Sequence, residues 1–242
     1  MSQIANRVTP SITPKGKIPP LQNGDHLTRD EFERRFDATP GLKHAELING
    51  IVYLMAPISY GGHSAPHAEL ITILSTYRAA TSGVASGGNS SVRIDGANMP
   101  EPDAFLMILA PHGGQAKIDA DDYVSGVPEL VVEISATSAS FDLHEKMDLY
   151  RRAGVREYLV WQTLDNEINL FSLKQGKFRP LAPAADGTLR SKVFPGLWLD
   201  VAALLKGDLA TALKTLQAGI AAPEHQLFTT ALQKPRAAKK KL

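Results

Sequence analysis

The chain has 242 residues, 43% of them hydrophobic, with a formal net charge of +1 and no cysteine, which excludes disulfides, thiolate metal ligands and cysteine nucleophiles together. Its length supports a substantial core in one domain or two small ones. No apolar run approaches the roughly 18–20 residues of a membrane span, and the proline-rich start lacks a secretory signature, so cytoplasm is the expected compartment.

Residues 1–24, with Pro10, Pro14, Pro19 and Pro20, read as a mobile arm. Thr28 and Glu31 have capping-box spacing and Leu27 with Phe32 can form a hydrophobic staple, predicting a helix from Arg29 to Phe36. Asn49-Gly50 between Ala45–Ile48 and Ile51–Leu54 predicts a hairpin with a type I′ turn, and places Glu46 in its first strand. After Gly61-Gly62, the spacing of Leu70, Ile71, Leu74 and Tyr77 predicts a helix over Ser64–Ala79, with His67 at the start of the same face. Ser90–Ile94 is a plausible strand. Two central strands follow, Asp103–Leu109 and Glu129–Ser135, separated by a Gly/Asp/Pro-rich loop from Pro111 to Pro128. Asp142–Ala153 reads as a helix with Leu143, Met147 and Tyr150 towards the core, stopped by Gly154. Glu157–Trp161 and Ile168–Leu173 are further strands, Phe178–Leu181 a possible edge, and Val201–Ala218 one or two helices. The tail carries Lys234, Arg236, Lys239, Lys240 and Lys241 without an acid, so the body is mildly acidic and advertises no strongly basic nucleic-acid face. The order of elements predicts one α/β domain.

Acids inside core strands are costly without a partner. Alternation in Leu130–Ser135 places Leu130, Val132 and Ile134 on one face and Val131, Glu133 and Ser135 on the other. Asp103 opens the preceding strand after Pro102. Two carboxylates on neighbouring strands suit Mg²⁺, with water and a substrate phosphate completing the shell; by spacing alone they suit solvated or salt-bridged charges at strand ends somewhat better, since acids there are ordinary. Asp142 and Lys146 are four residues apart, the spacing of an ion pair on one helix face. His63 and His67 have zinc-ligand spacing, yet no Glu stands at the HExxH position and Pro66 interrupts, so a zinc peptidase is not expected; His67 lies either near the acidic cleft or in the core. Neither a phosphate-binding GxxxxGK[ST] loop nor a Gly-x-Ser-x-Gly elbow occurs.

Pro102-Asp103, the run Pro128-Glu129-Leu130-Val131-Val132-Glu133-Ile134-Ser135, Ala45-Glu46-Leu47-Ile48-Asn49-Gly50, His67, Lys146 with Tyr150, Ala153–Tyr158 and Phe194-Pro195-Gly196-Leu197 together resemble the PD-(D/E)XK nuclease superfamily. The nearer resemblance, over roughly Thr28–Asp200, is to a bacterial family of uncharacterised restriction-endonuclease-like proteins. It implies a restriction-endonuclease-like α/β (α+β-like) fold: a central mixed sheet flanked by helices over residues 25–200, between the arm (1–24) and a helical extension (201–233) with a basic tail (234–242). It also implies Asp103 and Glu133 as metal ligands, Glu46 as an additional acid, and Lys146 as the catalytic lysine. His67, Ser135, Asp142 and Tyr150 are candidate accessory residues. The superfamily lysine would stand at position 135, where this chain has Ser135; in the resembling family it is displaced to the next helix, here Lys146. Ser135-Ala136-Thr137 in place of Ser-Pro-Ser, and Gln162 in place of an Asp, are further departures.

The function implied is hydrolysis of nucleic acid, DNA in the first place, dependent on Mg²⁺ or Mn²⁺. Cutting both strands of a duplex needs two sites, so a homodimer is expected. The alternatives are a nuclease fold with weak or no hydrolysis that serves for binding or assembly, and a hydrolase of a smaller phosphorylated substrate.

Overall fold

The computed structural model describes residues 18–55 and 57–234. In chain order the elements are α1 (Arg29–Asp37), β1 (Ala45–Ile48), β2 (Ile51–Leu54), α2 (Ala65–Ala79), β3 (Val84–Gly87), β4 (Val92–Arg93), β5 (Ala104–Ile108), β6 (Ala116–Ile118), β7 (Val124–Gly126), β8 (Leu130–Ser135), α3 (Ala139–Phe141), α4 (Met147–Ala153), β9 (Glu157–Gln162), β10 (Glu167–Lys174), β11 (Lys177–Pro180), β12 (Thr188–Arg190), β13 (Trp198–Asp200), α5 (Val201–Leu205), α6 (Leu209–Ile220) and α7 (Pro223–Gln233). Wide π-type turns, Tyr60–Ser64 and Asp142–Lys146, lead into α2 and α4.

The centre is a six-stranded mixed sheet in the order β11-β10-β9-β8-β5-β3. Only β8 and β9 run parallel; the other neighbours are antiparallel. The parallel pair requires a crossover, and α3 with α4 supplies it. This is the mixed sheet flanked by helices that the family resemblance implies.

Alternation along β8 decides what each face of the sheet meets. Leu130, Val132 and Ile134 join Leu70, Ile73, Leu74 and Tyr77 of α2 and Leu204, Leu216 and Leu232 of the C-terminal helices in the larger core. Each such side chain contributes roughly 1.5–3 kcal/mol on burial. On the other face Val131 packs with Ile48, Leu149, Tyr150, Tyr158 and Val160, so β1 and α4 lie over that side. Glu133 and Ser135 point into it.

The hairpin forms as its sequence requires, with Asn49 and Gly50 at φ 53° and 76°, the two positive values of a type I′ turn. Thr28 caps α1 by accepting from the Glu31 N–H, and the helix buries Phe32 against Leu47, Val52 and Met99. The 111–128 segment differs from the expected loop: β6 and β7 pair there and recruit β4 into a small three-stranded sheet. Strands this short carry too few residues for a period of two to show in sequence.

Of the expected N-terminal arm, residues 18–24 are described; Leu21 is buried beside Phe32 and the Gly24 N–H bonds to Val52. Residues 1–17 and 235–242, the latter holding most of the basic tail, lie outside the described residues. Among the described residues no helix is long and apolar enough to cross a membrane.

Candidate active site

The β5/β8 ladder pairs Ala104 with Val132. One further step in that register sets Asp103 across from Glu133, where side chains on directly opposed residues lie on the same face with Cβ atoms about 4.5–5.5 Å apart. Both line one cleft of about 450 Å³ together with Glu46 from β1 and Asp142 and Lys146 from the turn before α4. The residues predicted from β1, β5, β8 and the α4 region therefore meet in one place.

Lys146 is central to the arrangement. Its ammonium lies 2.8 Å from Glu46 Oε1, 3.1 Å from Glu133 Oε1 and 4.0 Å from Asp142 Oδ1. The expected surface alternative for the Asp142/Lys146 pair does not hold, because both residues are buried. A lysine on the neighbouring helical turn thus reaches the strand glutamate that a lysine at position 135 would have flanked. Ser135 takes another part: its hydroxyl donates to Asp142 Oδ2 at 2.6 Å, and Ser138 does the same. Two hydroxyls so fix the carboxylate one helical turn before Lys146. Tyr150 donates to Glu133 Oε1 at 2.7 Å, and Glu46 Oε1 also accepts from the Glu101 N–H.

Asp103 is held from two sides. Its Oδ2 accepts from the Ile134 N–H at 2.6 Å, and Oδ1 faces His63 Nε2 at 2.9 Å. His67 is placed behind it, donating from Nε2 to the Asp103 carbonyl at 2.8 Å, so it supports the backbone of the acid. At Gly88 a Cβ would stand 2.6 Å from that same carbonyl and 2.7 Å from Ile71 Cδ1. We expect Gly88→Ala to cost about 1–3 kcal/mol of stability through overpacking, read as a lower urea midpoint. The Asp103 backbone would have to move to admit the methyl group.

Burial and charge are in tension at this site. Side-chain exposures are 2% for Glu46, 3% for Glu133 and 4% for Lys146. Burial pushes Glu133 well above the usual carboxylate range; Lys146 opposes the shift, while Asp103, Asp142 and Glu46 add to it. Burial likewise raises Glu46 against the pull of Lys146. Burial would lower the Lys146 ammonium, but the charges of Glu133, Glu46 and Asp142 outweigh it and hold the group well above its ordinary value. The hydrogen bond to Asp103 raises His63, against the effect of burial. Three carboxylates thus crowd around a single ammonium, with the Asp103–His63 pair in the same cleft.

Not every buried acid in the sheet belongs to this cluster. Glu129 accepts from the Ile108 and Gln115 N–H groups, and Glu157 from Ser191 and the Lys192 N–H. Those carboxylates are satisfied as braces between strand and loop. Glu133 accepts only from Lys146 and Tyr150, both on Oε1, and its Oε2 makes no bond among the described residues.

The donor set fits a divalent cation of the Mg²⁺ type. The available ligands are hard carboxylate oxygens, from Asp103, Glu133, Glu46 and Asp142, set beside Lys146 and His63. Among the described residues no group of three or more His, Asp or Glu side chains is arranged as a metal cage, and Mg²⁺ does not need one: it binds through one or two carboxylates, retained waters and substrate phosphate.

Several participants were not legible in sequence. Glu101 bridges the Ser91 hydroxyl and His44 while its N–H holds Glu46. His63, read only as a poor zinc ligand, is against Asp103. Tyr53 and Phe141 line the cleft with ring centroids 4.8 Å apart. The one local signal was register: Tyr53 is the hairpin partner of Glu46.

The family model described as "Putative restriction endonuclease" (Uma2) matches residues 29–202. No curated protein matches the chain. Among solved structures, the crystal structure of a "putative nuclease belonging to DUF820" from Anabaena variabilis is similar, with a TM-score of 0.57 and 14% identity over 75% of this chain and 98% of that one. At that identity the likeness shows the fold, and the fold is the restriction-endonuclease-like one.

Proposed function

The chain belongs to the Uma2 family, and from that membership we propose that it is a metal-dependent phosphodiester hydrolase of nucleic acid, DNA in the first place, working where Asp103, Glu133, Glu46 and Lys146 meet. The observation that carries this reading is the buried convergence of Glu46, Glu133 and Asp142 on one lysine, with Asp103 in the same cleft. Such a cluster opposes folding unless its acids take up protons or a cation balances them, and a cation is the partner this reading assigns.

Asp103 and Glu133 would hold the cation, with Glu46 beside them. When bound, Mg²⁺ or Mn²⁺ supplies Lewis acidity, lowering the pKa of a water and offsetting phosphate charge. Lys146 holds the attacking water in line with the scissile bond and sets its positive charge against the pentavalent transition state. Tyr150 fixes Glu133 and Glu46 fixes Lys146, which limits reorganisation during the reaction. The water gives up a proton to solvent as its oxygen bonds to phosphorus and the P–O3′ bond breaks, the departing O3′ takes a proton from solvent, and the ends are a 5′-phosphate and a 3′-hydroxyl. A homodimer would present two such sites to the two strands of a duplex.

The direct test is a panel of plasmid DNA, single-stranded DNA and RNA incubated with Mg²⁺ or Mn²⁺, with chelator controls. Metal-dependent cleavage of at least one of them, ending in 5′-phosphates, is the expected result. No cleavage of any of the three, with no metal binding by calorimetry, would leave the fold as a binding or assembly module.

A further inference from the structure

The walls of the cleft are chemically divided. Its floor holds carboxylates that are nearly inaccessible, Asp103 at 9% exposure and Glu133 at 3%. One wall is apolar: Leu54, Pro57 and Ile58 from the strand end and loop after β2, with the tilted ring pair Tyr53–Phe141. That wall is continuous with the acids. Tyr53 is paired with Glu46 across the hairpin, and Phe141 precedes Asp142. At the rim of that wall Ile58 is 61% exposed, and beyond it Tyr60 is 80% exposed.

Tyr53 and Phe141 are half-buried, packed on the core under α4, and turn their remaining surface to the cleft beside the exposed Ile58, where it can take an apolar occupant. A fully paired duplex presents phosphate and sugar outward and hides its base faces in the stack, so it gives this wall nothing to bury. A phosphate on an intact duplex would also have to reach acids at the bottom of the cleft. A nucleotide out of the stack meets both demands. A cleft of about 450 Å³ is in the size range that encloses one small-molecule-sized group, and aromatic side chains stack on any base without sequence preference.

We propose that the substrate is a strand with an unpaired nucleotide beside the scissile phosphate, a single strand or a mismatched or flipped position, whose base lies against Tyr53, Phe141 and Ile58 while its phosphate reaches Asp103 and Glu133. This rests on the hydrolase reading above and names the form of nucleic acid that the site takes. Unstacking costs least where a base is already unpaired, which gives the site its selectivity.

The test uses the full chain and one oligonucleotide sequence in three forms: single-stranded, fully paired, and paired except for one unpaired nucleotide. A 2-aminopurine at that nucleotide reports stacking by its fluorescence. With Mn²⁺, the two unpaired forms should be cleaved at least about tenfold more efficiently than the paired form, at the phosphate next to the unpaired position, with quenching of the probe on binding. Ile58→Ser, at an exposed position where folding is not at stake, and Phe141→Ala should each raise KM for the unpaired forms. The loss on Phe141→Ala should be about tenfold, the scale of one base–aromatic stack, with kcat changed less and Phe141→Tyr restoring it. Equal cleavage of the three forms, or aromatic variants that leave KM and the fluorescence unchanged, would overturn the unpaired-nucleotide assignment while the hydrolase reading stands. Absence of cleavage in all three forms, made in DNA and in RNA, together with no metal binding by calorimetry, would overturn both.

Discussion

Asp103→Ala should abolish metal-dependent cleavage, lowering the rate by about three orders of magnitude, the upper scale lost when one charge-stabilising group is removed from a reacting centre. The fold should survive the change. Asp103 sits at the open end of β5, and only its carboxylate bonds, to the Ile134 N–H and to His63, are removed. The Ile134 N–H becomes unsatisfied, at a cost of about 1–3 kcal/mol. His63 loses the hydrogen bond that raises its pKa, so it should titrate closer to an ordinary histidine. The informative measurement is therefore paired: single-turnover cleavage with saturating metal, and the thermal midpoint of the same preparation. Loss of rate with a retained cooperative transition assigns the role to chemistry. Cleavage that survives in Asp103→Ala removes Asp103 from the site.

Lys146→Met should be costly in a different way. The substitution preserves most of the side-chain volume but takes the ammonium from between Glu46 and Glu133, both buried. Breaking a buried pair by removing one partner typically costs about 3–5 kcal/mol, because the remaining charge is uncompensated. Here two carboxylates are stranded. Their folded pKa values are already raised by burial, and losing Lys146 raises them further. For a carboxylate whose folded pKa lies above its unfolded one, the stability contribution is full below the unfolded value, about 4.3, and is lost as pH rises through the folded value. The variant should therefore lie nearest to the wild type in acid and fall behind it as pH increases, as urea unfolding at pH 5 and pH 8 would show. The double variant Lys146→Met/Glu133→Gln should recover part of the loss at pH 8, since one of the two stranded charges is gone. A deficit independent of pH would mean that the pair contributes packing alone.

How far the sequence could be read depended on the range of the interactions. The Asn49-Gly50 hairpin, the Thr28 cap and the two faces of β8 are local patterns, and the structure has them. Residues of β3 gave no strand signal because they are small: a Cβ at position 87 would meet the Phe105 ring at 2.3 Å, so the site selects for lack of bulk over strand propensity. The β4-β7-β6 sheet was illegible because its pairings bring residues 92–93 against 124–125. Within the site, Glu133 was marked by its place in an apolar strand. Lys146 was not; i,i+4 spacing to Asp142 describes a surface ion pair equally well, and only family resemblance singled it out. Burial of that pair, with Ser135 holding Asp142, is a tertiary fact. Glu101, His63, Tyr53 and Phe141 come to the cleft from four separate segments and share no spacing that a sequence displays.

The claim on which the functional reading turns is that Asp103 and Glu133 share one cation. Anomalous scattering from crystals soaked in Mn²⁺ tests it most directly. The expected result is a peak in the cleft within about 2.0–2.6 Å, the range of hard-cation oxygen ligands, of one carboxylate oxygen from each residue. That peak should be absent in Asp103→Ala crystals soaked alongside. A map from saturated wild-type crystals with no peak between those carboxylates, or with the only peak elsewhere, would contradict it.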